Sequence, residues 1–225
     1  VYDGMSCAKY VTSLNEPAPA ADFVLADGET ALSSETGVIA IYPEWADGYR
    51  NAEVSVAAQR ISPVWMEKNQ NATAGSYDPH TAVAMAYSED SLFVFKNAAS
   101  LLKFTVANDN VKTVTVYSNN GEPLAGLWTL VYNDGEPVAY PLEEEGATVN
   151  WVELNAGEGV FEVGKEYYIS VFPQVLETGF TVEFSFAGPD GDKMKVKSYD
   201  ESIEFNRNVI LNLGTLEYDG PMPGW

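Results

Sequence analysis

A search for catalysis in this chain starts at His80, its single histidine. Nucleophilic catalysis needs an imidazole base beside a hydroxyl or thiol. His80 lies in Tyr77-Asp78-Pro79-His80-Thr81, a turn leading into an apolar run, and the sequence has no Gly-x-Ser-x-Gly elbow. A surface or capping histidine is the simpler reading. Cys7 is the only cysteine. An internal disulfide, a Cys-x-x-Cys redox pair and a cysteine zinc site are therefore excluded. Cys7 lacks the cationic surroundings that lower a thiol pKa, and it reads as a bystander.

Glycoside hydrolysis needs two spaced carboxyl groups, one of them held neutral. With 33 Asp+Glu in the chain, some pairs arise by chance and point nowhere. Asp190-Gly191-Asp192 and Asn108-Asp109-Asn110 have the oxygen ligands calcium favours, yet both read equally as plain turns. Gly157–Gly159 is not followed by a helix, so no phosphate cradle is implied. Asn71-Ala72-Thr73 matches a glycosylation sequon, a pattern common by chance. Trp45, Trp65, Trp128, Trp151 and Trp225 would stack on sugars if two or three were coplanar on one face; in β-sandwiches most such rings are core. The expectation is a non-enzyme with no catalytic, cofactor-binding or metal-binding residue.

Composition narrows the partners. Twelve Lys+Arg against 33 Asp+Glu leave a net charge of −21. Phosphate neutralisation needs a dense basic surface, so nucleic acid is a poor partner, and anionic lipid is disfavoured likewise. Hydrophobic residues make up 46% of the 225, with 5 Trp, 13 Tyr and 10 Phe, which excludes a disordered chain. At this length about 70% of the unfolded surface can be buried without disulfides or metals. No run of 18 apolar residues exists, so no membrane-spanning segment is expected. The sequence begins at Val1 rather than Met, which reads as a trimmed or processed chain.

The elements behind these residues follow a period of two almost throughout. Leu102, Phe104 and Val106 alternate with Leu101, Lys103 and Thr105. Val111–Tyr117 alternates the same way, as do Phe180–Phe186 and the Met194 and Val196 run among Lys193, Lys195 and Lys197. Gly188-Pro189-Asp190-Gly191 joins the last two into a hairpin. With Phe184 opposite Met194, Glu183 should face Lys195 and Thr181 should face Lys197. Further strands are expected at Val38–Tyr42, Val54–Ala58, Thr81–Ala86, Leu92–Phe95, Leu127–Tyr132, Ala147–Leu154, Tyr167–Phe172 and Val209–Leu213. Turns at Asn119-Asn120-Gly121, Asn133-Asp134-Gly135 and Asn155-Ala156-Gly157 separate several of them. Met66–Ser76 reads as a long loop, Glu53–Arg60 as a strand or short helix, and Glu143-Glu144-Glu145 as a solvated loop. The first hundred residues have weaker strands, placing a domain boundary between Ser88 and Ala99, with domains at 1–92 and 93–225.

An ordered set of segments resembles one family. These are Phe93–Val106, Val111–Tyr117 followed by Gly121–Gly126, Tyr167–Pro173, Gly179–Val182, Asn206–Ile210 and Leu213–Leu216, with Ile41-Tyr42-Pro43 and Ser76–Pro79 upstream. Together they are similar to the fimbrillin-like proteins of Bacteroidales. The resemblance implies an all-β fold of two antiparallel transthyretin-like β-sandwich domains in tandem. It implies export as a lipoprotein, N-terminal trimming, and a place at the cell surface in a fimbrium attached to the outer membrane. Assembly would proceed by strand donation between fimbrial subunits, with host or bacterial surface ligands as further partners. The tail Glu217–Trp225 carries Pro221 and Pro223, which a donor strand does not accommodate; this counts against a shaft role and leaves a tip, accessory or truncated subunit open. On physical grounds alone, an open sheet edge is expected near Phe23–Leu25 or Val38–Tyr42. The alternative is a secreted glycan-binding accessory module presenting exposed aromatics.

Overall fold

The computed structural model describes residues 8–13, 20–32, 37–43, 61–90, 92–187 and 193–221. Cys7, Trp45, Trp225, the Asp190-Gly191-Asp192 turn and the expected elements within Val54–Ala58 and Glu53–Arg60 lie outside them. Among the described residues the regular structure is β, apart from one 3-10 turn at Pro79–Thr81. The protein is an all-β sandwich.

In chain order the strands are β1 (Tyr10–Val11), β2 (Val24–Leu25), β3 (Val38–Tyr42), β4 (Ile61–Met66), β5 (Asn69–Asn71), β6 (Ala84–Ser88) and β7 (Lys96–Asn97). Then come β8 (Ser100–Val106), β9 (Val111–Ser118), β10 (Ala125–Asn133), β11 (Glu136–Pro141), β12 (Thr148–Val149) and β13 (Trp151–Asn155). The last are β14 (Glu166–Val171), β15 (Gln174–Leu176), β16 (Phe180–Phe186), β17 (Lys193–Tyr199), β18 (Ile203–Phe205) and β19 (Ile210–Leu216).

Two buried clusters organise them. The larger includes Leu102, Phe104, Val114, Val116, Phe161, Ile169, Phe180, Val182, Phe184 and Phe205. It takes residues from the sheet ordered β17-β16-β9-β13-β5, the sheet β14-β8-β19 and the pair β15-β18. The alternation read in β8, β9 and β16 is what supplies this core: each strand turns one apolar row inward. The smaller cluster holds Ile39, Val64, Met66, Val83, Met85, Trp128, Leu130 and Phe172. It takes residues from β3 and β6 of the sheet β3-β6-β7 and from β4 and β10, which pair in a second sheet. Trp128 and Phe172 lie with ring centroids 4.9 Å apart in it.

Several expectations are met closely. β3 and β16 have the read boundaries. Asp134-Gly135 closes the β10–β11 hairpin, with Asn133 paired to Glu136 and both turn residues at positive φ, the geometry that suits strand twist.

Others are corrected. Leu92–Phe95 forms no strand; its apolar side chains turn toward Phe23 and solvent instead of a ladder. Thr81–Ala86 begins as the 3-10 turn because Pro79 presets helical φ, and the strand starts only at Ala84. Ala147–Leu154 is split into β12 and β13, which pair with different strands. The Met66–Ser76 loop contains β5, paired parallel to β13. β19 also runs parallel, alongside β8. In the β16–β17 hairpin Phe184 faces Met194 and Glu183 faces Lys195 as expected, but a bulge then shifts the register. Thr181 therefore faces Ser198, and Lys197 lies opposite Val182. One extra residue on one strand moves every later side chain to the other face.

Candidate functional site

The residues singled out for chemistry are occupied structurally. His80 is 78% exposed and its Nδ1 lies 3.1 Å from Asp78 Oδ1. Asp78 is buried and accepts from the backbone and side-chain nitrogens of Asn71 and the backbone of His80. Burial works to raise its pKa, but these hydrogen bonds outweigh it and hold the carboxyl below its ordinary range. The nearby hydroxyls of Thr81 and Ser170 are buried and 2.8 Å apart. The cluster is a capped turn docked on a sheet. The sequon residue Asn71 commits its side-chain amide to Asp78 at 2.8 Å. Asn108 commits both ends of its amide to the backbone of Tyr218, at 2.9 and 2.7 Å. Among the described residues no three His, Cys, Asp or Glu are grouped to hold a metal ion.

Among the described residues the tryptophans do not form one platform: Trp65 and Trp151 lie on β4 and β13, in different sheets. Trp128 is fully buried. Trp151 is half-buried on the outer face of the five-stranded sheet, directly opposite Tyr117. Lys68 and Lys193 sit 5.4 and 5.8 Å from its ring centroid. Lys193 also donates to Tyr117 at 2.8 Å and Glu153 at 3.1 Å. Partial burial opposes its charge, yet those partners raise its pKa above the usual lysine value.

What distinguishes this surface is its edges. A sheet edge offers unpaired N–H and C=O groups to any passing strand, and proteins blunt it with lysine, proline or a cover. The β17 edge carries Lys193, Lys195 and Lys197, all exposed. The β11 edge carries Pro137 and Pro141. The β14 edge is covered: Gln70 and Gly75 bond to it at Ser170 and Glu166. Among the described residues the β3 edge has none of these devices. Its sequence, Val38-Ile39-Ala40-Ile41-Tyr42, holds no charge, proline or glycine. β6 pairs along its whole length on one side. Among the described residues no strand pairs on the other. Ile39 and Ala40 are buried while Tyr42 is 52% exposed. Both regions read as open edges are paired on one side only among the described residues: Val24–Leu25 with Tyr10–Val11, and Val38–Tyr42 with β6.

No helix among the described residues is long and apolar enough to cross a membrane. No family model and no curated protein matches this sequence. Among solved structures the chain is similar to a proposed cell adhesion protein from Bacteroides uniformis, with a TM-score of 0.55 and 18% identity. That likeness covers 97% of this chain and 82% of the other. A proposed cell adhesion protein from Bacteroides ovatus gives a looser likeness, a TM-score of 0.45 at 16% identity over 94% of this chain and 74% of that one. At 18% identity the first likeness bears on the fold alone, which is the all-β sandwich described above.

Proposed function

We propose that this protein is a non-enzymatic adhesive subunit of a bacterial cell surface, of the fimbrillin-like type, joined to neighbouring subunits by strand addition. The observation that carries the reading is the β3 edge: long, uncharged, backed by buried Ile39 and Ala40, and paired on one side among the described residues. An added strand would satisfy its backbone groups and lengthen the sheet. The likeness to a proposed adhesion protein from Bacteroides supports the same reading, as do the family segments quoted from the sequence. A location on the outer membrane belongs to this proposal.

The tandem organisation, 1–92 followed by 93–225, is proposed with it. There are two core clusters, and the smaller one takes Ala98, Ala125, Trp128, Leu130 and Phe172 from the second stretch, so the two units interleave in sequence. The pairing of β4 with β10 and of β5 with β13 laces the first stretch of chain to the second.

Hydrogen exchange read by mass spectrometry tests the reading. In the isolated chain the β3 amides that point away from β6 should exchange quickly; in fibres or surface-extracted assemblies they should become protected. Protection of all β3 amides in a monomeric chain, or no gain on assembly, would overturn it.

A further inference from the structure

A second surface behaves as if it needs a partner. Leu92-Phe93-Val94-Phe95 is an apolar run with no strand pairing among the described residues. Leu92 is 72% exposed and Val94 64%. Phe95 packs against Phe93 and against Phe23, at ring-centroid distances of 6.3 and 6.4 Å, so the exposed patch extends to Phe23 and Val24. Contiguous apolar surface of this kind marks an interface more often than a free face. Its flanks are acidic. Asp22 precedes Phe23 and Asp90 stands two residues before Leu92; both are exposed, and neither has a cation within ion-pair distance among the described residues.

The opposite chemistry sits on the other core. β17 is the end strand of its sheet, and in a chain of charge −21 it holds three of the twelve Lys+Arg in five positions. Lys193 is committed to Glu153 and Tyr117. Lys195 and Lys197 have no carboxylate partner among the described residues. The bulge in the hairpin sets them opposite Glu183 and Val182, so they stand on the two faces of the edge. Between them Val196 packs on the larger core. Lysines on an edge repel basic strands and would be desolvated by an uncharged one; carboxylates beside an incoming strand pair with them and offset both costs.

We propose that the acid-flanked patch Phe23 and Leu92–Phe95 docks on the lysine-bearing edge strand β17 of a second copy of this chain. The two surfaces are different, so the contact is head-to-tail, and each pair keeps one of each surface available for the next copies. This contact is separate from strand addition at β3.

Sedimentation velocity of the whole chain over a range of concentrations tests it, with charge reversals in pairs. Lys195→Glu with Lys197→Glu, and Asp22→Lys with Asp90→Lys, should each weaken self-association about tenfold or more, because two attractive pairs become repulsive. The first pair makes the chain more acidic and the second less, so an effect of net charge alone would act in opposite directions. All four changes in one chain should restore association, as should mixing the two double variants. Circular dichroism confirms that each variant folds. Leu92→Ser with Val94→Ser gives a second, uncharged probe of the patch and should also weaken association. The inference is overturned by a wild-type chain that stays monomeric at every concentration, by effects that follow net charge, or by failure of the four-fold variant to recover. Association indifferent to all these changes would overturn it too, while leaving strand addition at β3 standing.

Discussion

The side-chain amide of Gln70 lies against the backbone of Ser170 as a neighbouring peptide would. Its Nε2 donates to the Ser170 carbonyl at 2.7 Å, and its Oε1 accepts from the Ser170 N–H at 2.9 Å. Both residues are buried. A single side chain thereby extends the ladder of β14 by one pair, and it fastens the 69–81 segment to the larger core. Gln70→Leu would fill similar space and leave both Ser170 groups buried without partners. Each such loss costs about 1–3 kcal/mol, so urea unfolding should show a destabilisation of about 2–6 kcal/mol. Gln70→Glu should do nearly as badly, since a carboxylate cannot donate to the carbonyl.

Asp78 gives a prediction in pH. Its burial would raise its pKa, but hydrogen bonds from Asn71 and His80 prevail and its folded value lies below the ordinary 3.8. A lowered folded pKa means that the unfolded chain binds the proton more readily. The stability Asp78 confers is therefore complete above its ordinary value and is lost as pH falls through the folded one. Asp78→Asn should reduce stability near neutral pH. The gap between variant and wild type should close as the medium is acidified below pH 3.8. Urea midpoints compared at neutral and acid pH check this.

Gly126 pairs with Thr148 on one side and Met66 on the other, at φ 105°. A Cβ there would run into the carbonyl oxygen of Ala147. The neighbour is backbone and cannot rotate away. Gly126→Ala should lower stability by about 2–4 kcal/mol, combining strain and steric displacement, measurable as a fall in thermal midpoint. Gly135, also at positive φ but with open space at its Cβ position, should cost less on the same change.

The Lys193–Glu153 contact is bordered by Tyr117 and Trp151 and is partly shielded from water. A double-mutant cycle with Lys193→Met and Glu153→Gln should return a coupling of about 0.5–1 kcal/mol. A cycle on Glu183 and Lys195, which face each other in register without an ion pair among the described residues, should return close to zero.

Much of the architecture was readable before the structure because a strand's inward row is a local property. Phe180, Val182, Phe184 and Phe186 announce a buried face by their spacing alone, and Asp134-Gly135 announces a tight hairpin. The strand at Val38–Tyr42 was readable for the same reason, as an uncharged run with strand propensity. Leu92–Phe95 carries an equally strong strand signal and is not a strand; its Phe95 packs on Phe23, remote in sequence. Asn69–Asn71 has no apolar residue to announce it and is a strand, held by Gln70 on Ser170 and by pairing with β13. The network around Asp78 was visible only as a turn, because its partners converge through the docking of that turn on β14.

The amino-acid order by itself indicated a chain mostly β, richly acidic, poor in catalytic groups and built on alternating rows. These follow from composition and from neighbours two residues apart. Which strands became edges, which edges were covered, and where a bulge moved Lys197 to the opposite face were decided only in three dimensions. Each depends on a partner tens of residues away, and no local pattern specifies the partner of a strand, only that it wants one.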